Sequence, residues 1–375
     1  MKASRTILIM IAFFLVACIV IFPAECIAAA KEGLAGWLGI IVPSLLPFMI
    51  GSNILLRTGI LKPLADFCTP FTRRVFGTGG DLIYIYVSSA LSGYPMGAKL
   101  AGDLYKEGSI PHEDAVRIIN ATSISGPLFI SGAVATSILH NPAAAEYIYF
   151  PHIISALAVG VLFHIFVYPK NMRMQVPFRT KKTLPAEINV GKVLNDSIMN
   201  SLTTIGLIGG FIILFSVFTA ILEKLGAFSF LSFALSPLFH LLGLNTNLTP
   251  ALVGGMLEMS NGCIALSSVP GLLTQKIIVS TFIITFSGLS IFFQTYSILS
   301  VAGIKNRYFI PAKITQSVIA VILCVVFINS MAINVGAFPA AHASSNISLA
   351  AAPAGILFLA ASLLFLALCA KRIRR

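Results

Sequence analysis

Long apolar runs separated by short polar connectors recur along the whole chain. A helix needs about 20 predominantly apolar residues to cross a bilayer. The pattern therefore predicts an all-α polytopic membrane protein. Runs near that length occupy residues 6–23, 33–56, 82–100, 115–139, 148–168, 197–222, 277–304, 314–333 and 350–370.

Several of these runs contain residues that interrupt a helix. Gly93, Pro95 and Gly97 lie in the middle of 82–100, and Pro127 lies within 115–139. Lipid offers no water to pair a freed backbone group, so a break at depth is tolerated only beside protein or a wet cavity. Broken helices near the midplane are where secondary transporters bind solutes. The breaks therefore predict a solute site.

Two stretches are predicted to lie in the membrane interface. Residues 64–76 mix Arg73 and Arg74 with apolar positions, as interfacial helices do. Residues 228–244 are apolar, but a proline interrupts them. In a further segment, 197–222, glycines at 206 and 210 are expected to allow close helix packing.

Composition and charge narrow the class of protein. The chain has 375 residues, of which 57% are hydrophobic and only 10% charged, which excludes a soluble domain. Its net charge of +12 is spread over short connectors and the C-terminus rather than gathered in one stripe. This distribution is typical of cytoplasmic loops of membrane proteins, and no nucleic acid partner is expected.

The charged connectors predict the topology. If every run crossed once, the basic connector at 169–192 would lie outside, against the positive-inside rule. A re-entrant hairpin at 82–100 removes the conflict. A second hairpin at 252–266, with 228–244 in the interface, likewise places the basic residues of 305–313 inside.

The two hairpins then enter from opposite faces, and the order of segments is the same in each half. Short echoes agree: Leu91-Ser-Gly parallels Leu257-Glu-Met, and Ser125-Gly126 parallels Ser287-Gly288. The fold predicted is an inverted-topology repeat with two re-entrant helical hairpins and broken spans.

This topology divides the chain into five parts, with both termini cytoplasmic. A retained first span is favoured over a cleaved signal, because its apolar run is long and Glu25 and Cys26 disturb a cleavage motif. The parts are an N-terminal span (1–32), a first repeat plus span (33–168), a basic cytoplasmic connector (169–196), a second, inverted repeat (197–310) and two C-terminal spans (311–375).

Two charged residues near the predicted hairpin tips are candidates for the solute site. Glu258 lies within an apolar run, where a charge costs at least about 2.5–3.5 kcal/mol and needs a partner or water. It is interpreted either as a contact for a coupling ion, proton or substrate, or as a structural cap of a half-helix. Lys99 follows the first break and either meets an anionic solute or Glu258, or extends to the interface.

Neutral groups at the breaks complete the predicted site. Freed N–H groups at half-helix starts favour anions, which biases the substrate towards a carboxylate. Polar residues in membrane helices more often form helix contacts or caps than bind substrate, so a structural role and a binding role both stay open. No role is assigned to the dispersed histidines. The neutral candidates are Ser92, Gly93, Tyr94, Asn120, Thr122, Ser125, Gly126, Ser260, Asn261, Ser287 and Gln294.

The sequence carries no motif for catalysis or metal binding. H-E-x-x-H, the Walker loop and G-x-S-x-G are absent, so neither a hydrolase nor an ATP-driven pump is expected. The six cysteines form no C-x-x-C pair and are interpreted as buried thiols. No organic cofactor, metal or catalytic residue is predicted. A coupling proton or Na⁺ is left open.

Several of these segments resemble a known family. The segments Ser44-Leu-Leu-Pro-Phe48, Ser92-Gly-Tyr-Pro-Met-Gly-Ala-Lys99, Asp103-Leu-Tyr105, Ser125-Gly-Pro-Leu-Phe129 and Leu257-Glu-Met259 are similar to those of the sporulation integral membrane protein YlbJ family, over roughly residues 5–310. The resemblance implies nucleoside-recognition Gate domains and distant kinship to concentrative nucleoside transporters. It also implies a role in spore formation, moving dipicolinic acid towards the forespore.

The sequence and the resemblance together predict a secondary transporter or facilitator of a small organic anion. The expected location is the mother-cell or outer forespore membrane. Two alternatives are a nucleoside transporter and a non-transporting scaffold or sensor of a sporulation complex. The expected partners are the bilayer and the anionic solute, while a homo-oligomer or contact with other sporulation membrane proteins is left open.

Overall fold

The computed structural model describes residues 2–58, 62–167 and 189–330, and these residues form helices joined by turns, with no strand. The helices are α1 (Lys2–Ile21), α2 (Pro23–Gly36), α3 (Val42–Arg57), α4 (Lys62–Val75), α5 (Asp81–Ser92), α6 (Met96–Lys106), α7 (His112–Thr122), α8 (Ala144–Leu162), α9 (Val190–Lys224), α10 (Ala227–Leu241), α11 (Thr249–Leu257), α12 (Met259–Ser268), α13 (Leu273–Phe286), α14 (Gly288–Ala302) and α15 (Phe309–Ser330). Shorter helical segments are the π-helical stretches Trp37–Ile41, Phe129–Ile138 and Phe163–Val167, and the 3₁₀ turn Thr246–Leu248.

Four helical segments within the described residues are long and apolar enough to cross a membrane. They are Ala144–Val167, Val190–Lys224, Leu273–Ala302 and Phe309–Ser330. They match the spans predicted at 148–168, 197–222, 277–304 and 314–333. The protein is therefore an all-α integral membrane protein with several spans. The span predicted at 350–370 lies outside the described residues.

The N-terminal helices differ from the predicted pair of spans. The chain bends by 109° between Ala12–Ile21 and Pro23–Ile41. The helix that starts at Pro23 then continues without a break to Arg57 and encloses Pro47. Proline removes one donor, but neighbouring helices allow a membrane helix to continue past it.

Trp37 supplies such a neighbour contact on α9. Its indole Nε1 donates to the backbone oxygen of Ile205 at 3.1 Å. A Cβ built on Gly209 would lie 2.4 Å from the indole ring, so this glycine allows the close approach. The expectation that Gly206 and Gly210 do so is wrong, because nothing lies within 4 Å of a Cβ at either position.

The predicted helix breaks are confirmed. Gly93, with φ of +75°, ends α5 ahead of the break that leads to α6. Residues 123–126 separate α7 from a helical segment that Pro127 begins. Glu258 is the extended residue between α11 and α12, and Ser287, with φ of +71°, separates α13 from α14.

Two further helices have the character predicted for interfacial segments. α4 exposes Phe67 and Phe71 and carries two arginines in its last turn. α10 exposes Phe230 and Phe233. Each precedes a helix pair separated by a break, α5–α6 and α11–α12 respectively.

The helices α11 and α12 fold back against each other through glycine. A Cβ built on Gly262 would lie 2.2 Å from the Cα and 2.3 Å from the backbone nitrogen of Gly255. Because these atoms belong to the backbone, no rotamer change can make room. The close packing places Glu258, at the turn between the two helices, in a fixed position.

The change Gly262→Ala is expected to separate α11 from α12 and to destabilise the protein. Overpacking lowers the free energy of unfolding by about 1–3 kcal/mol where neighbouring side chains can move. Because the neighbour here is backbone, we expect a loss near the upper end of that range. Thermal unfolding in detergent measures the loss. Gly210→Ala, at an exposed position of α9 with open space around the added carbon, is the control. Equal melting temperatures for the two variants would contradict the packing.

Candidate functional site

A cavity of about 40 Å³ lies where three helix breaks and the first turns of α14 meet. The α5–α6 break contributes Gly93 and Tyr94, and the break after α7 contributes Ser125 and Gly126. Glu258 brings the α11–α12 break to the same cavity. Sequence-distant interruptions therefore converge on one point.

Eight of the predicted site residues line this cavity. They supply hydroxyl, carboxylate and amide groups within a surface that also contains Ile41, Phe129 and Ile212. The mixture of a few polar groups with apolar side chains is typical of small-molecule sites. The eight are Ser92, Gly93, Tyr94, Ser125, Gly126, Glu258, Ser260 and Gln294.

Lys99 does not reach the cavity. α6 begins at Met96, so Lys99 lies one turn beyond the break on a regular helix and is only partly buried. The sequence placed it near the hairpin tip, and the structure places it along the α6 shaft. It has no contact with Glu258 among the described ion pairs.

The other four candidates do not line the cavity. Asn120 accepts from Asn306 Nδ2 at 2.9 Å, and the Thr122 hydroxyl donates to the Ile118 carbonyl at 2.7 Å. Asn261 Nδ2 donates to Ser216 Oγ at 2.7 Å. Ser287 is buried in the left-handed conformation at the α13–α14 break.

The breaks touch each other in pairs. A Cβ on Gly93 would lie 2.7 Å from the backbone nitrogen of Gly126, so the first two breaks are in backbone contact. A Cβ on Gly288 would lie 2.8 Å from the Gly255 carbonyl oxygen and 3.2 Å from that of Leu257. Within each half of the chain, a helix pair thus meets a broken span through glycine.

Glu258 caps the half-helix that follows it. Its Oε2 accepts from the backbone N–H of Asn261 at 2.7 Å, and the side chain is only 2% exposed. A carboxylate at a helix N-terminus satisfies a free donor and complements the helix dipole. Of the two interpretations from sequence, the structural cap is present in the geometry.

Lys313 is a residue beside the cavity that sequence reasoning missed. The basic residues 305–313 were interpreted as one connector, but α15 begins at Phe309 and Lys313 is fully buried. Its Nζ donates to Tyr94 Oη at 2.9 Å and to the Ser123 carbonyl at 3.0 Å. The signal available in the sequence was Lys313-x-x-Gln316, two polar residues one turn apart in an apolar helix.

His152 is a second residue to which no role was assigned. Its Nε2 accepts from the backbone N–H of Ser125 at 2.8 Å, and its Nδ1 lies 2.9 Å from Thr285 Oγ1. The Tyr94 hydroxyl donates to the Ile284 carbonyl at 3.1 Å. These side chains pair the backbone groups near the breaks of both halves.

Outside the membrane spans, the buried Arg117 guanidinium contacts the loop that leads into α5. The Arg117 guanidinium donates to the Gly77 carbonyl and lies 3.7 Å from Asp114 Oδ1. Burial raises the pKa of Asp114 to about 6. This cluster fixes the entry to α5 at a distance from the cavity.

Comparison with known proteins identifies the family. The chain is 33% identical over 322 residues to the sporulation integral membrane protein YlbJ of Bacillus subtilis (strain 168), covering 82% of this chain and 79% of that protein. The chain belongs to the YlbJ family of sporulation integral membrane proteins.

Two other comparisons accompany this assignment to the YlbJ family. Residues 206–305 match the Gate family model, which is described as nucleoside recognition. A solved structure of a double variant of CNTnw in an outward-facing state covers 87% of this chain and 84% of its own chain, at 15% identity and a TM-score of 0.49.

The change Glu258→Ala is expected to lower the stability of this YlbJ-family protein, because it removes the cap of α12. Loss of a cap costs about 1 kcal/mol, and the N–H left buried adds to that cost. Glu258→Gln keeps an oxygen at the same position and should lose less. Thermal unfolding in detergent compares the two, and equal losses would show that the charge, rather than the cap, stabilises the break.

Proposed function

We propose that this protein is a secondary transporter or facilitator of a small organic anion, with dipicolinic acid as the candidate substrate during sporulation. The observation that carries the proposal is the convergence of helix breaks on one cavity. Discontinuous helices form the solute sites of secondary transporters. The proposed location is the mother-cell or outer forespore membrane.

We propose further that α5–α6 and α11–α12 are re-entrant hairpins of an inverted-topology repeat. The basis is that each helix pair follows an interfacial helix and meets a broken span through a glycine contact. The proposed repeats are 33–168 and 197–310, joined by the connector 169–196, which is placed in the cytoplasm together with both termini. Residues 1–32 and 311–375 add the remaining spans.

An anionic substrate is favoured by the charge around the cavity. Lys313 is buried and contacts Tyr94, which lines the cavity. Half-helix α6 begins at a break, where freed N–H groups favour negative charge, whereas the N-terminus of α12 is already capped by Glu258. The family's association with sporulation connects this preference to dipicolinate, a pyridine dicarboxylate.

The breaks must separate for a solute to enter. A cavity of about 40 Å³ has room for one or two water molecules, whereas small-molecule sites span roughly 300–1,000 Å³. We propose that this is the closed arrangement of the site. Movement of one helix pair away from its partner break is the step that admits substrate.

A nucleoside is the alternative substrate, and one observation favours it. The match to the model described as nucleoside recognition covers residues 206–305, which include Glu258, Ser260 and Gln294 of the cavity. Amide and hydroxyl groups of this kind suit a neutral polar solute as well as a carboxylate.

Flux in proteoliposomes tests the proposed function. The purified protein is expected to carry labelled dipicolinate at a rate at least tenfold above that of protein-free vesicles, and uridine much more slowly. Glu258→Gln is expected to slow the flux by about tenfold, which corresponds to 1.4 kcal/mol, because an amide cannot carry the coupling proton that we propose for the Glu258 carboxylate. Glu223→Gln, exposed near the end of α9, is the matched control and should retain the flux.

Other outcomes would replace the proposal. Flux of uridine without dipicolinate would favour the nucleoside alternative. Failure to carry either solute, together with a sporulation protein that co-purifies with the chain, would favour the scaffold or sensor.

Cysteine labelling tests the hairpins in a chain freed of its native cysteines. Arg74→Cys and Glu107→Cys flank α5–α6, and Asn247→Cys and Ser268→Cys flank α11–α12; all four positions are exposed. An impermeant maleimide should label the first pair from one side of sealed vesicles and the second pair from the other. If the members of a pair react from opposite sides, that helix pair is an ordinary crossing.

A further inference from the structure

Lys313 donates to three oxygen atoms that come from three places in the fold. Its Nζ lies 2.9 Å from Tyr94 Oη at the α5–α6 break and 3.0 Å from the Ser123 carbonyl oxygen after α7. The third oxygen is Gln316 Oε1, one turn along α15, at 2.9 Å. The side chain has no solvent exposure.

The hydrogen bonds around Nζ match the charged form of the lysine. The Tyr94 hydroxyl uses its single proton on the Ile284 carbonyl at 3.1 Å. The Gln316 amide nitrogen is directed at the His152 carbonyl at 3.5 Å, so its oxygen faces the lysine. All three partners of Nζ are therefore acceptors, and an ammonium has three protons to donate where a neutral amine has two.

The same count argues against direct contact between Lys313 and an anionic solute. All three ammonium protons are used within the protein. Nor is Lys313 among the residues that line the cavity. The ammonium also lies 4.9 Å from the centroid of the Tyr94 ring, so the aromatic face and the hydroxyl of the same residue both contact it.

The three oxygens are of the type that coordinates a small monovalent cation. A backbone carbonyl freed at a helix break, an amide oxygen and a hydroxyl surround the ammonium, and Lys313 forms no ion pair with any described residue. Carbonyls at unwound helices coordinate the coupling cation in secondary transporters. Here the Lys313 ammonium occupies the position that a coupling cation would take.

We infer that Lys313 is a tethered cation, whose ammonium fills an oxygen cluster suited to a free monovalent cation and joins the first two breaks without a coupling ion at that place. The inference extends the proposed function, because it makes transport independent of Na⁺ at this cluster. It also has a consequence for stability that does not depend on transport.

The experiment compares thermal unfolding of the full chain in detergent at constant ionic strength, in choline, sodium, potassium and methylammonium chlorides. The wild type should melt at one temperature in all four salts. Lys313→Ala vacates the cluster, so it should melt lower in choline and recover by at least about 3 °C, saturably, in one or more of the small cations.

Two variants serve as controls. Lys313→Met fills the same space with an apolar chain and should be destabilised without recovery in any salt. Lys305→Ala removes an exposed lysine a short distance before α15 and should behave as the wild type. Recovery in the alanine variant alone separates cation binding from a general effect of salt.

Two results would overturn the inference. One is saturable stabilisation of the wild type by Na⁺ or K⁺, which can be measured even if Lys313→Ala does not fold. The other is a folded Lys313→Ala variant that is indifferent to all four salts. Saturable stabilisation of the wild type by Na⁺ together with dipicolinate flux would reject the tethered cation while retaining the transporter, whereas the expected melting pattern without any flux would do the reverse.

Discussion

The structure depends on pairing the backbone groups that helix breaks set free. Each unpaired group buried away from water costs several kcal/mol. Lys313 pairs the Ser123 carbonyl, His152 pairs the Ser125 N–H, and Tyr94 pairs the Ile284 carbonyl. Because each pairing side chain belongs to a different element from the group it pairs, the same bonds that satisfy the breaks also hold them together.

The breaks differ in how they are satisfied. Glu258 is itself the interrupting residue and pairs an N–H three residues ahead, so α11 and α12 carry their own cap. The break after α7 relies on α8 and α15 for its partners. A shift of α11–α12 would leave its cap intact, whereas a shift of the α7 end would separate charged and polar partners in a dry interior. The two halves of the proposed repeat therefore resist movement unequally.

The breaks could be predicted from sequence because their signals are local. Gly93 and Gly288 adopt positive φ, which glycine allows at little cost, and Pro127 starts a half-helix as its missing N–H permits. The cavity lining followed from the same residues, since broken segments at one depth converge. Lys99 lies away from the cavity, because the position of its side chain depends on the direction of α6 as well as on its distance from the break.

The partners of the breaks could not be predicted, because pairing is a property of the folded chain. Lys313 lies 219 residues from Tyr94 and 190 from Ser123, and His152 lies 133 residues from Thr285. Counting charge along the sequence placed Lys313 with the basic connector, and only the start of α15 at Phe309 moves it into the interior.

The paired breaks explain why the sequence echoes between the halves are short. In the first half the positive-φ glycine of the contact, Gly93, belongs to the helix pair. In the second half it is Gly288, on the broken span, and the helix pair contributes the backbone of Gly255 and Leu257. What recurs is the close approach of two interrupted backbones. The glycine that permits the approach lies on the helix pair in one half and on the broken span in the other. The contact can therefore be similar in both halves although the aligned sequences differ.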